Sequence, residues 1–182
     1  MEIHVRPATE RDLDAIERLY TDLNEYLEAH ENHPKWRKGS YPLRCHAEEG
    51  LADGTLYVAE KDGEIAGTVI YLREQGEPYK TVQWQLPFDV PVVVLHILAV
   101  HPAHQGAGVG KALMDHAEIV ARQRGAQAVR LDTYVDNLPA SKLYEKCGYS
   151  LRGLVDLGLE EIYGLKWYRA YEKVLKNALE ES

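Results

Sequence analysis

The stretch "LHILAVHPAHQGAGVGKALMDHA", residues 95–117, decides how this chain is read. It leaves an apolar run, "VVVLHILAV" (92–100), and enters a helical pattern past residue 108. Between them glycine falls at alternate positions: Gly106, Gly108 and Gly110. A continuous apolar run of this kind is a buried central strand. Glycine suits neither strand nor helix, so its density at the junction asks for bare backbone. A strand, a glycine-rich turn and a helix start together form an anion cradle. Glycine lets the chain approach the anion, the first helical N–H groups point at it, and the helix dipole favours negative charge.

Working outward, "IHVRPA" alternates as a first strand, and "TERDLDAIERLYTDLNEYLEA" follows as a helix. Thr9 and Asp12 have capping spacing, and Leu13, Ile16, Leu19, Tyr20 and Leu23 share one helical face. Residues 30–54 read as irregular, and such a segment inside a compact domain is often functional. "TLYVAEKDGEIAGTVIYLRE" is a hairpin turning at Asp62-Gly63. "GEPYKTVQWQLPFDVP" is a second loop. After the central strand come a helix ended by Gly125, the strand "AVRLDTYV", a short helix in "NLPASKLYEKCG", and closing strands in "YSLRGLVDL" and "GLKWYRAYEKVL". This order predicts an α/β chain with one mixed, partly parallel sheet and helices on its faces.

A chain of 182 residues is long enough for one well-buried domain, residues 1–182. The net charge of −8 argues against a nucleic-acid partner and favours cationic ligands by steering. No run suits a membrane span and no signal segment opens the chain. Two cysteines, Cys45 and Cys147, fit a reducing cytoplasm rather than a disulfide framework. His101 and His104 stand three apart, but without an acidic or cysteine partner they make no metal site, and neither do His30, His33 or His116.

Three phosphate motifs compete for the glycine turn. A nucleotide-binding P-loop would need glycine at Gln105 and a hydroxyl at Ala112. A dinucleotide fingerprint would need glycine at Lys111, although Asp132 lies where a ribose-binding acid would. The third pattern, Gln-x-x-Gly-x-Gly after "AVHP", fits as "AVHPAHQGAGVGKAL". With it the sequence resembles the GNAT family of N-acetyltransferases. "NLPASKLYEKCGY" resembles that family's later Asn-x-x-Ala…Tyr motif, "YVAEKDGEIAGTVIY" its hairpin, and "VRPATERDLDAIERLY" its opening strand and helix. The likeness spans nearly the whole chain and fits the two loops least.

The resemblance implies a mostly antiparallel sheet with a parallel, splayed central strand pair. It implies acetyl-CoA as cosubstrate, no metal, and direct attack of an amine on the thioester. By that likeness the backbone of Gln105, Gly106, Ala107, Gly108, Val109, Gly110 and Lys111 would hold the CoA pyrophosphate. Leu98 and Val100 would pair with the pantetheine arm along a bulged strand, and the Leu98 N–H would be the oxyanion donor. Asn137 would cap its helix and touch the arm, Lys146 would meet a phosphate, and Tyr144 would protonate or orient the leaving sulfur. An alkylamine is protonated at pH 7, so a base is needed. His96 is the polar residue of the central strand, and it resembles the histidine of the arylalkylamine acetyltransferases. Val94 stands where those enzymes carry a second one. The acceptor pocket would come from the loops and last strand, with Trp36, Tyr41, Trp84 and Tyr168 as an aromatic wall. A small amine is the expected acceptor. A protein acetylase and an acyl-CoA sensor are the alternatives, and a homodimer is common for such a fold.

Overall fold

The structure, a computed structural model, describes residues 2–176. Its strands are β1 (His4–Pro7), β2 (Leu56–Lys61), β3 (Glu64–Leu72), β4 (Val92–Val100), β5 (Ala128–Tyr134), β6 (Ser150–Asp156) and β7 (Trp167–Val174). They form one sheet in the order β1-β2-β3-β4-β5-β7-β6. The helices are α1 (Leu13–Ala29), α2 (Arg44–Ala52), α3 (Val109–Gln123), α4 (Leu138–Lys146) and the short α5 (Glu160–Tyr163). β1 pairs with β2, β2 with β3, β5 with β7 and β6 with β7, all antiparallel, while β4 and β5 are parallel. This is the mixed sheet the sequence predicts.

The chain divides into two compact units, one up to Tyr71 with His96–His116, the other Leu72–Leu95 with the residues from Ala117. In the first unit α1 buries Leu13, Ile16, Leu19, Tyr20, Leu23 and Leu27, the helical stripe its spacing foretells. Its approach is fixed by Asp12, whose carboxylate accepts from the Thr9 N–H at 2.7 Å and pairs with Arg6 at 2.8 Å. The β2–β3 turn has Asp62 and Gly63 both at positive φ, as a two-residue hairpin with right-handed strand twist requires. Gly67 of β3 lies against the start of α3. A Cβ there would stand 2.6 Å from Val109 Cγ1 and 3.1 Å from the Ala99 carbonyl oxygen.

One sequence expectation is corrected here. Residues 44–52, read as irregular, form helix α2. Its amphipathic signal is faint because a glycine interrupts it, yet that glycine is what lets it pack: a Cβ on Gly50 would meet Ile70 at 3.2 Å. Arg44 ties α2 to α1 through Asp14 at 2.7 Å and Glu17 at 2.8 Å.

In the second unit a buried ion pair organises the loop between β3 and β4. Arg130 of β5 and Glu172 of β7 sit opposite each other in register and meet at 2.8 Å, both fully enclosed. Arg130 also donates to Gln75 Oε1 at 2.7 Å and to the carbonyls of Leu86 and Pro87 at 3.0 Å, and stacks on Trp84. Glu172 accepts from the Gln85 N–H at 2.6 Å. A buried charge persists only when its hydrogen bonds are met, and here the loop backbone meets them.

Candidate active site

The glycine turn has the conformation an anion cradle needs. Gly106 and Gly108 take φ of +75° and +86°, a region that L side chains resist. Neither is glycine for want of room: nothing lies within 4 Å of a Cβ built on Gly106, and only Ile3 Cδ1, at 3.9 Å, near Gly108. The space over the turn is open. Ala112 donates to the Gly108 carbonyl at 3.0 Å, closing the first turn of α3, so the N–H groups of Val109, Gly110 and Lys111 precede any intrahelical acceptor. Gln105 and Ala107, by contrast, donate back to Pro102 and His104, both at 3.3 Å. Lys111 and Lys146 are exposed, and Lys111 reaches Asp115 one turn along at 2.5 Å.

The central strand changes character halfway. The parallel ladder joins only Val92–Val94 to Ala128–Arg130, while β4 itself continues to Val100. Just beyond the ladder Ile97 has φ +48°, a strained value for a β-branched residue and a local break in the strand. Along this part Ile97 and Ala99 are buried, whereas His96, Leu98 and Val100 are more open and share a face. Loop 30–43 comes to His96 through Tyr41, whose hydroxyl and the His96 Nε2 are hydrogen-bonded at 3.3 Å. Asn24 of α1, itself buried, holds the Tyr41 carbonyl at 3.1 Å. Trp36 and His46 pack edge-on against the Tyr41 ring, at 5.9 and 4.9 Å between centroids. His96 is an exposed residue, yet surrounding protein atoms displace part of its hydration. That loss of hydration, with His46 nearby, draws its pKa down to about 4. The imidazole is therefore neutral at pH 7.

In the second unit Asn137 caps α4, accepting from the Ala140 N–H at 3.4 Å while its Nδ2 donates to Thr133 Oγ1 at 3.1 Å. About two turns later Tyr144 is buried against Tyr171. Burial, then the nearby Asp132, push its phenol well above the usual tyrosine range, so it keeps its proton at every working pH. Trp84 and Tyr168 pack in one cluster of this unit; in the other, Trp36 packs on Tyr41, and Tyr41 lies beside His96.

Tyr79 has no role in the sequence reading of the site, and Asp132 is named there only under the dinucleotide alternative. The Tyr79 hydroxyl donates to Asp132 Oδ2 at 2.5 Å. Desolvation raises the Asp132 carboxyl to about 6, and the Tyr79 hydrogen bond offsets part of that rise. The signal was present in "AVRLDTYV": Arg130 and Asp132 occupy one face of an otherwise apolar strand. The remaining histidines have other work. His101 Nδ1 accepts from the Ala103 N–H at 3.1 Å and its Nε2 meets Asp22 at 3.0 Å; His116 stacks with Tyr57 and Tyr71; His30 bonds the Tyr26 carbonyl at 2.8 Å. Among the described residues no group of His, Cys, Asp and Glu is spaced for a metal ion, and no helix is long and apolar enough to cross a membrane.

Comparison with known proteins agrees with this geometry. The model of the "Acetyltransferase (GNAT) family" matches residues 14–149. A streptothricin acetyltransferase of Streptomyces lavendulae is 40% identical over 109 residues, 59% of this chain and 51% of that protein. One of Escherichia coli is 41% identical over 59 residues, 32% of this chain and 33% of that protein. The chain thus matches about half or less of the length of these relatives. Among solved structures, a GNAT-family acetyltransferase from Streptococcus agalactiae 2603 superposes with a TM-score of 0.79 at 18% identity, covering 96% of both chains. A glycine turn opening into a helix, a broken central strand and a family match over most of the chain lead to one conclusion: this protein belongs to the GNAT acetyltransferase family.

Proposed function

We propose that the chain is a single acetyl-CoA-dependent N-acetyltransferase domain that acylates a primary amine of a small molecule by direct attack on the thioester. The observation that carries the reading is the turn itself: two left-handed glycines under open space, leading to helical N–H groups that precede any intrahelical acceptor. A diphosphate satisfies such donors, with the α3 dipole adding to the attraction. In this reading Gly106, Gly108, Val109, Gly110 and Lys111 hold the pyrophosphate of CoA. The open face at Leu98 and Val100 offers backbone groups to the amide-bearing arm, and the Leu98 N–H receives the charge that builds on the thioester oxygen.

Two side chains handle protons. His96, neutral at pH 7, accepts a proton as the amine attacks. A base this weak does not retain it, and the Tyr41 hydroxyl at 3.3 Å is the next station of a relay toward water. Tyr144 keeps its proton too tightly to give it up to a thiolate outright. It acts as a fixed hydrogen-bond donor to the departing sulfur. The two streptothricin acetyltransferases similar to this chain support a small-molecule acceptor. Cys45 and Cys147, which are not joined in a disulfide, suit a reducing compartment, the cytoplasm.

Steady-state thiol release over an amine panel tests the assignment. Tyr144→Phe and His96→Ala are expected to lower kcat by about 10²–10⁴-fold, the usual worth of a positioned proton-handling group. Both should bind acetyl-CoA as the wild type does. If both variants keep wild-type kcat, these roles are wrong. If acetyl-CoA raises Tm but no amine in the panel accelerates thiol release, the protein is an acyl-CoA-binding sensor.

A further inference from the structure

Asp132 has no part in the mechanism above, yet it is the most perturbed carboxyl of its unit and it faces aromatic groups. It projects from the same face of β5 as Arg130, but the Arg130 guanidinium is already neutralised by Glu172 at 2.8 Å. Its hydrogen-bonded neighbour is a phenol, Tyr79, 3% exposed and fixed in the loop that Arg130 organises. Only Oδ2 is engaged. Among the described residues Oδ1 has no hydrogen-bond partner, and Asp132 is only partly buried, so a ligand can reach it. The carboxylate is held by the Tyr79 hydroxyl, and its charge is also felt by the phenols of Tyr144 (α4) and Tyr168 (β7). Among the described residues no side-chain cation forms an ion pair with Asp132. A desolvated carboxylate with one unused oxygen, held on the other by a tyrosine hydroxyl, is the complement of an alkylammonium ion. The ion pairs with the anion, and ring faces stabilise its charge.

Resting on the acetyltransferase reading, we propose that Asp132 anchors a cationic acceptor, with the acceptor's ammonium on Oδ1 and Tyr79 holding Oδ2. The acceptor class is then a small di- or polyamine-like cation rather than a neutral arylamine. The anchor must be ionised to work. Tyr79, Tyr144 and Tyr168 are all pushed above their usual range and stay neutral below pH 9, so the pH dependence between 5 and 8 is assigned to the carboxyl of Asp132, with Arg130 already paired to Glu172 on the same face.

The test needs no turnover. 1,4-Diaminobutane, with 1,4-butanediol as neutral isostere, is titrated into the full chain while the ¹³C carboxyl resonance of Asp132 is followed. That resonance is assigned by its absence in Asp132→Asn, which keeps an acceptor for Tyr79. Saturable diamine binding that lowers the Asp132 midpoint is expected. With a free carboxyl titrating near 6, affinity should be about tenfold weaker at pH 5 than at pH 7.5. The diol should not bind, and Asp132→Asn should weaken diamine binding about 10- to 100-fold. In a second variant, Tyr79→Phe, the carboxyl loses a bond that favours its charged form, so the pH midpoint of diamine binding should move upward. Diamine binding of equal strength in wild type and Asp132→Asn, or independent of pH, overturns the proposal, as does a wild-type Asp132 resonance unmoved by diamine. Diamine binding at Asp132 in a protein that acetylates no amine supports the anchor and removes the acetyltransferase reading, so the two failures are distinct.

Discussion

At the residue scale the chain inverts the ordinary order of two titrating groups. His96 is drawn down to about 4 and Asp132 is pushed up to about 6, in both cases because protein atoms replace water around the charge. The consequences for stability have opposite sign. His96 binds its proton less readily folded than unfolded, so its contribution is present above about pH 6.5 and is lost as pH falls toward 4. Asp132 binds its proton more readily folded than unfolded, so its contribution is present below the ordinary carboxyl pKa of about 3.9 and is lost as pH rises through about 6. Asp132→Asn, which cannot ionise, should therefore raise Tm clearly more at pH 7.5 than at pH 4.5. Calorimetric melts at the two pH values check this, and a Tm change of equal size at both would contradict it. Gly108 offers a second residue-scale prediction. Its space is open but its φ is +86°, so Gly108→Ala should cost about 1–2 kcal/mol from backbone strain alone and weaken acetyl-CoA binding by reshaping the cradle. Urea unfolding and calorimetric titration read the two effects separately.

At the element scale, the legible parts of the sequence were those with regular period. The α1 stripe, the Asp62-Gly63 turn and the run of β4 from Val92 to Val100 all fall where periodicity puts them. Helix α2 did not, because its fit depends on a glycine, Gly50, whose reason is the side chain of Ile70 some twenty residues away. The same holds for Gly67. It reads as an ordinary weak spot in a strand, but the backbone of Ala99 and the side chains of Val109 and Leu113 occupy the place of its Cβ. Gly67→Ala should push the start of α3 off β3 and cost about 1–3 kcal/mol. It should also lower acetyl-CoA affinity, because α3 carries the cradle donors. Unchanged affinity in a destabilised variant would separate α3 docking from the cradle. The pair Arg130–Glu172 was equally hidden: each charge looks like a solvated face until the β5–β7 register sets them opposite. Glu172→Gln should destabilise by about 3–5 kcal/mol, since it leaves the Arg130 charge buried without its counter-ion. Denaturant midpoints check the value.

At the scale of the whole molecule, family and sheet class were legible because their signals repeat along the chain: the glycine turn, the α4 motif and the opening strand and helix. In the candidate site the conformation of the glycine turn was legible, since positive φ at Gly106 and Gly108 is written in local residue types. The site was illegible where it depends on which side chains face each other across elements, as with Tyr79 and Asp132, or Tyr41 and His96. The net charge of −8 fits a cationic acceptor at this scale, by drawing amines toward the protein at low ionic strength.

The most direct test of the acetyltransferase assignment is release of CoA thiol from acetyl-CoA by the wild-type protein as small diamines and polyamines are titrated, with the acylated product identified by mass. We expect saturable, amine-dependent release and one acetyl group added to the amine per thiol freed. Thiol release no faster with any amine than without, from a protein that acetyl-CoA still stabilises against heat, would contradict it.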